Sequence, residues 1–519
     1  MTVYLKDLFL GSADGDDESN KDNFKDLFYT GNNKYNEIAF NNSKFIISGQ
    51  KGTGKTILGR YLEEKYIEKG IECKIFNKNN LTLTKLIEKR NDVLSNDESV
   101  SFFKWMIYLE IYKILRDINI NVRFRFSKEY IVELKKKKEY EKNIEKLTEI
   151  YDTRFPKGNF EFIDYITGYE DEIEGELAID EKLKSKVRAS KKRNLTKNNR
   201  RKEFYKVLEE FENLIFLCLE QKSVVFILDD LDELEIKIDN NVTPLTSIKK
   251  LIDAFKDINR KINKKKLNPS KCIMLIRSDI LKSLNKTSTN LNKILADNTV
   301  ELYWINKEES EPEKHILMEM ILNKIKHSAL EYSSLDNKTL YNKIFPKDIN
   351  GDTALKYLID YSFGRPRDII YYLNLMIKKY GDNVKFEKKM FEECRKEYSE
   401  WFLDELYNEM NIHIPIEEVD EYLKLIRILG YRSFFINQIT KSFFENKKQF
   451  KYIKNKDDVI KALSVLYKFG IIGNSWNVNV GKENEKIRFS WGYRKDGKPN
   501  IILDQKFSVH YALRNSLNL

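Results

Sequence analysis

The chain has 519 residues, 41% of them hydrophobic and 33% charged, with a mean hydropathy of -0.56. Enough apolar residues are present to exclude wholesale disorder, and at roughly 100–200 residues per domain the length allows about two to four units. The formal charge of +11 admits an anionic partner such as nucleic acid, although the crowding of Lys, Asn and Ile is also what an A/T-biased coding sequence yields.

Residues 1–30 read as a lead segment. It has an apolar start over 3–10, an acidic polar stretch over 11–20, and an apolar cluster of Phe24, Leu27, Phe28 and Tyr29. A core follows over 31–307. Its first strand is expected over 45–48, before a glycine-rich turn at 49–54. A helix then runs from Thr56 to Gly70, where the glycine is a plausible C-cap. Further strands are expected over 71–76, 223–228, 272–276 and 299–305, with helices over 101–115, 203–219 and 246–262. Strands alternating with helices predict an α/β unit with a parallel sheet and helices on both faces. An inserted arm over about 119–202 interrupts this core. Its stretch 170–181 is acidic, whereas 182–202 holds eleven basic residues and no acid, a switch that suits a solvated arm or a nucleic-acid contact. Helices over 309–326, 353–361, 367–380 and 391–410 predict a helical lid at 308–412. Over 413–519, helices at 419–429, 435–444 and 456–469 precede extended segments at 471–480 and 486–493, the layout of a winged helix.

Cys73, Cys218, Cys272 and Cys394 lie far apart without a C-x-x-C pair, which favours core thiols over a disulfide frame or a zinc site. His315, His327, His413 and His510 are scattered and read as surface or satisfied histidines rather than metal ligands. No basic-then-apolar leader and no run approaching roughly 18 apolar residues is present. No membrane partner is expected, and the cytoplasm is the expected compartment.

The chemistry is most explicit at Gly49-Gln50-Lys51-Gly52-Thr53-Gly54-Lys55-Thr56, which fits G-x-x-x-x-G-K-[ST] throughout. The glycines let successive amides curl toward phosphate oxygens. The following helix, whose first turn includes Ile57, adds its positive end. Lys55 is placed for the β- and γ-phosphates of a nucleoside triphosphate, and the Thr56 hydroxyl for Mg²⁺. The apolar strand Val224-Val225-Phe226-Ile227-Leu228 runs into Asp229 and Asp230. Asp229 is the expected second magnesium ligand, and Asp230 is placed to orient or activate water, with Asp232 and Glu233 as alternates. Arg277 ends the next strand, where a cation would feel the γ-phosphate. Gly364-Arg365-Pro366-Arg367-Asp368 forms a sharp turn between lid helices, and Arg367 would open the second of them beside the nucleotide.

These features, in this order, resemble the STAND and origin-recognition branch of AAA+ ATPases. More closely, they resemble the bacterial P-loop ATPase family named after a cyanobacterial open reading frame, whose members often occur in antiviral defence loci. The resemblance rests on Leu8-Phe9-Leu10-Gly11-Ser12-Ala13-Asp14, the phosphate loop, Leu228-Asp229-Asp230-Leu231-Asp232, Arg277-Ser278-Asp279-Ile280 and Val509-His510-Tyr511-Ala512-Leu513. It implies ATP as the nucleotide, Arg277 as a γ-phosphate sensor, a nucleotide contact at Pro366, and a second sensor at Arg367. STAND proteins also carry a repeat array and a fused effector, neither of which is expected here, and Asp230 stands where a Glu is usual, which speaks against fast hydrolysis. Two functions are weighed. One is an ATP-driven switch acting with a separate protein effector, such as a nuclease, or through self-association. The other is a DNA-binding ATPase that reads DNA with the helix 435–444 and the basic arm. A small-molecule kinase fits worse, because neither the winged helix nor the two arginines would have a role in it.

Overall fold

The computed structural model describes residues 2–12, 14–77, 96–120, 128–154, 204–229, 231, 243–287, 291–305, 311–478 and 486–519. Five parallel strands form one sheet in the order β2-β3-β4-β1-β5, comprising β1 (Ile46–Gly49), β2 (Glu72–Phe76), β3 (Val224–Leu228), β4 (Lys271–Arg277) and β5 (Thr299–Leu302). β3 and β4 are buried along their whole length. Strands covered on both faces read as continuous apolar runs rather than alternating ones.

One face is covered by the Asn96–Arg116 and Thr243–Lys264 helices and the helix over 204–219. Trp105, Tyr108, Phe211, Ile252 and Phe255 pack there against Phe226 and Met274. The Lys55–Glu68 helix covers the other face through Leu58, Leu62 and Tyr66, against Ile47, Ile227 and Leu275. Gly59 sits where this helix approaches the sheet, since an added Cβ would lie 3.1 Å from Leu275 Cδ2. Of the inserted arm, the described part is chiefly the Lys128–Arg154 helix; the acidic and basic blocks at 170–202 lie outside the described residues.

The unit that follows β5 is helical. The lid holds Ile316–Ser328, Asn337–Ile344, Ala354–Asp360, Pro366–Tyr380, Lys388–Glu393 and Arg395–Asn411. The single helix expected over 391–410 is two helices, broken at Cys394, and Asn337–Ile344 is an addition. The last unit has helices Ile416–Leu429, Ile436–Glu445 and Lys456–Lys468, followed by the β7 (Ile472–Val478) and β8 (Lys486–Trp491) hairpin. Two short strands not foreseen, β6 (Ser433–Phe434) and β9 (Lys506–Val509), extend it into an antiparallel sheet of order β6-β9-β7-β8. The lid and this unit share one apolar cluster, which runs from Leu317 through Tyr398 and Phe402 to Leu513.

The lead segment belongs to that same cluster through Leu5, Leu8 and Leu10. Leu5 and Lys6 amides donate to the carbonyls of Asn383 and Gly381 at 2.7 and 3.0 Å. Glu18 forms a buried ion pair with Lys324 of the lid, while Asp16 pairs with Arg60 of the core at 2.8 Å. The segment is therefore a strap across core and lid. Among the described residues, no helix is long and apolar enough to cross a membrane.

Candidate functional site

All five strands point their carboxyl ends to one edge, where Gly49 is in register with Arg277 on one side and Leu302 on the other. Open α/β sheets bind ligands at this edge. Between Gly49 and the Lys55–Glu68 helix the chain turns through Gly52 (φ 79°) and Gly54 (φ 90°). Both lie in the left-handed region, and Gly54 is the helix N-cap. Residues with side chains are strained there, and this curl turns successive amides inward. A Cβ on Gly49 would lie 2.3 Å from Thr53 Oγ1, a hydroxyl that donates to the Gln50 carbonyl at 2.8 Å. Lys55 is buried, with its ammonium 3.4 Å from the same carbonyl. Thr56 and Ile57 follow on the first helical turn, backed by the strap. A Cβ on Gly15 would come within 2.8 Å of Ile57 and 3.3 Å of the Thr56 Cβ.

Asp229 leaves β3 at the same edge. It is buried, and its amide donates to the Phe76 carbonyl at 2.8 Å. β4 lies between β3 and β1, so the Asp229 and phosphate-loop strands are about 10 Å apart, two strand spacings. Asp230, Asp232 and Glu233 lie outside the described residues.

Arg277 ends β4 and is buried, with Nε and Nη2 donating to the two Asp279 oxygens at 3.0 and 2.8 Å. His413 Nε2 reaches the same carboxylate at 2.8 Å. Burial opposes charge on Asp279, but the His413 hydrogen bond and the Arg277 guanidinium overcome it and hold the carboxyl well below its usual range. The sequence placed Asp279 beside Arg277 without giving it a role. It left His413 among the scattered histidines, yet that residue ties the segment after the lid to the arginine's partner.

The two arginines of the lid turn divide their work. Arg365 is buried, paired with Asp368 at 2.9 Å and Glu409 at 2.6 Å, and so holds the turn together. Pro366 opens the next helix, where the missing amide costs nothing. Arg367 lies on the phosphate loop itself. Its amide donates to the Gly52 carbonyl at 3.2 Å, and a Cβ on Gly52 would sit 2.9 Å from the Arg367 Cβ. Its guanidinium is 3.4 Å from Glu405, which also pairs with Lys51 at 3.1 Å.

Two further contacts were not legible as site features. Trp304 donates its indole N–H to the Thr53 carbonyl at 2.9 Å, and Gln50 donates its side-chain amide to the Tyr493 carbonyl at 3.1 Å. Beside Thr53 and Gly54 lies a mostly apolar pocket lined by Phe28, Tyr29, Ile57, Leu58, Pro366 and Ile370. Loop amides, a buried lysine, a threonine hydroxyl and a buried carboxylate at one sheet edge form a donor set suited to a nucleotide with magnesium.

Known family models match two stretches of the chain. Residues 36–256 match the KAP family P-loop domain, and residues 315–407 match the FunZ-associated C-terminal helical domain. A comparison with curated proteins finds no match. The first match spans β1, the phosphate loop and β3; the second spans most of the lid, including the Pro366–Tyr380 helix. Sequence, sheet order and family match agree at one level: the chain carries a nucleotide-binding P-loop NTPase domain.

Proposed function

We propose that the chain is a molecular switch that binds ATP and hydrolyses it slowly or under a partner's stimulation. We place it in a bacterial antiviral defence system with a separate effector, such as a nuclease. The observation that carries this reading is the number of parts gathered on one loop. The lid touches it through Arg367 and Glu405, the last unit through Tyr493, and the strap through Gly15. A change of ligand at that loop is felt by all three.

In this reading the amides of Gln50, Lys51, Gly52, Thr53 and Gly54 and the Lys55 ammonium hold the phosphates. The pocket at Ile57 and Pro366 takes the base. Thr56 and Asp229 hold magnesium, which when bound neutralises charge on the β- and γ-phosphates. Asp230 orients the attacking water, with Glu233 as the alternate. Arg277 and Arg367 are the γ-phosphate sensors, and each already has a competing carboxylate, Asp279 or Glu405. A γ-phosphate that draws Arg277 away leaves Asp279 with His413 alone, which changes the hold on the last unit. Coupling of this kind is worth about 1–3 kcal/mol.

The partner surface in this reading is the last unit. Phe435 and Phe444, at either end of the Ile436–Glu445 helix, are 45% and 52% exposed. Such residues suit a protein contact better than a DNA groove. Limited proteolysis with a non-hydrolysable ATP analogue or ADP tests the switch. The two ligands should give different cleavage patterns, and Lys55→Ala should abolish the difference along with nucleotide affinity. Identical patterns, or undiminished affinity in the variant, would falsify the proposal.

A further inference from the structure

Beside the phosphate loop lies a second cleft of about 1040 Å³, between the Ser278–Thr287 helix of the core and the Lys456–Lys468 helix and residues 492–501 of the last unit. Only Gln50 and Lys51 of the loop reach it; residues 52–56 do not line it. Its lining carries eight lysines and arginines against three acids, while the whole chain has 92 against 81. The enrichment is local and does not follow from composition.

The three acids are already engaged: Asp279 with Arg277, Glu301 with Lys495, and Glu409 with Arg365. Lys51, Lys461 and Arg494 pair with Glu405, Glu418 and Asp496. Lys282 from the core and Lys498 from the last unit form no ion pair among the described residues, and Lys468, whose ammonium lies over the Phe469 ring, also lines the cleft. The walls thus present positive charge from two sides toward a shared space.

We propose that this cleft binds a short single-stranded nucleic acid through its phosphates. The volume lies at the upper end of what small-ligand pockets offer. Lysines spread over two walls suit a chain of separated phosphates, whereas a compact triphosphate is better held by a glycine-rich nest, which the adjoining loop supplies. A duplex is read by an element projecting into its groove; here the cations face one another across a recess. This surface is distinct from the Ile436–Glu445 helix. Because Gln50 and Tyr493 border the cleft as well as the phosphate loop, a bound strand would act on the loop's cover.

Fluorescence anisotropy with a labelled oligothymidylate, on the full chain, tests the assignment. If about three phosphates are neutralised, the logarithmic salt slope is about −2, so a fourfold rise in salt weakens binding roughly fifteen- to twentyfold. Lys282→Glu with Lys498→Glu should cost at least about tenfold in oligonucleotide affinity, leaving binding of a fluorescent ATP analogue within about twofold. Lys55→Ala should do the reverse. Undetectable binding at low salt, equal or tighter binding of the matching duplex, or oligonucleotide affinity lost with Lys55 rather than with Lys282 and Lys498 would each overturn the proposal. The last outcome would place the probe in the phosphate loop and leave the nucleotide reading standing.

Discussion

Arg277 and Arg367 stand at the same sheet edge, and the carboxylates that hold them come from different places. Asp279 lies two residues from Arg277, while Glu405 comes from a later lid helix. Removing Asp279 takes away the local competitor and also the anchor of His413. For Asp279→Asn, we expect the preference for ATP over ADP to rise several-fold, together with faster proteolysis after the lid; calorimetric titration of both nucleotides checks the first effect. His510 offers a separate handle. Its Nδ1 accepts the Ala512 amide at 3.3 Å, so its proton sits on Nε2, facing the Tyr493 hydroxyl at 3.3 Å. Burial, then the nearby Arg514 and Arg365 charges, push the imidazole down to about 3 from an ordinary 6.5. The unfolded chain therefore binds a proton below about pH 6.5 that the folded chain refuses, and stability falls as pH drops from there toward about 3. In His510→Gln that part of the acid slope should vanish, which thermal unfolding across the window would show.

At the scale of elements, the strap is the most exposed to test. The Glu18–Lys324 pair is buried on both sides and joins the Gly15–Ser19 helix to the lid helix Ile316–Ser328. Glu18→Gln leaves a buried ammonium without its counter-charge, a loss of about 3–5 kcal/mol. Glu18→Leu combined with Lys324→Met should recover much of it; a double variant no better than the single one would show that the strap is held by other contacts. Much of the element pattern was legible in the sequence. β3 and β4 are runs of apolar residues, and the phosphate loop is contiguous, so strand, turn and helix announce themselves within a few residues. Ser433–Phe434 and Lys506–Val509 were missed because strands of two and four residues give no periodicity to count. The site was half legible for the same reason. Gly52 and Lys55 follow from local pattern, whereas Trp304 and Tyr493 reach the loop from 251 and 443 residues away. No spacing rule connects them.

For the whole molecule, the loop is the point where the separately built parts meet. The Gln50 side chain ties the loop to the last unit by its hydrogen bond to the Tyr493 carbonyl, and a single such bond is worth about 1 kcal/mol. Gln50→Ala should therefore speed nucleotide release about fivefold while leaving the melting temperature nearly unchanged. Stopped-flow displacement of a fluorescent nucleotide measures the first and calorimetry the second; a large loss of stability would mean that the contact is structural. The separation of 443 residues between Gln50 and Tyr493 also sets an order of events during synthesis. The ribosome makes the phosphate loop 443 residues before the residue that covers it. A nascent chain can thus meet cellular nucleotide before the final unit exists to respond to it, and the finished protein can be born already loaded.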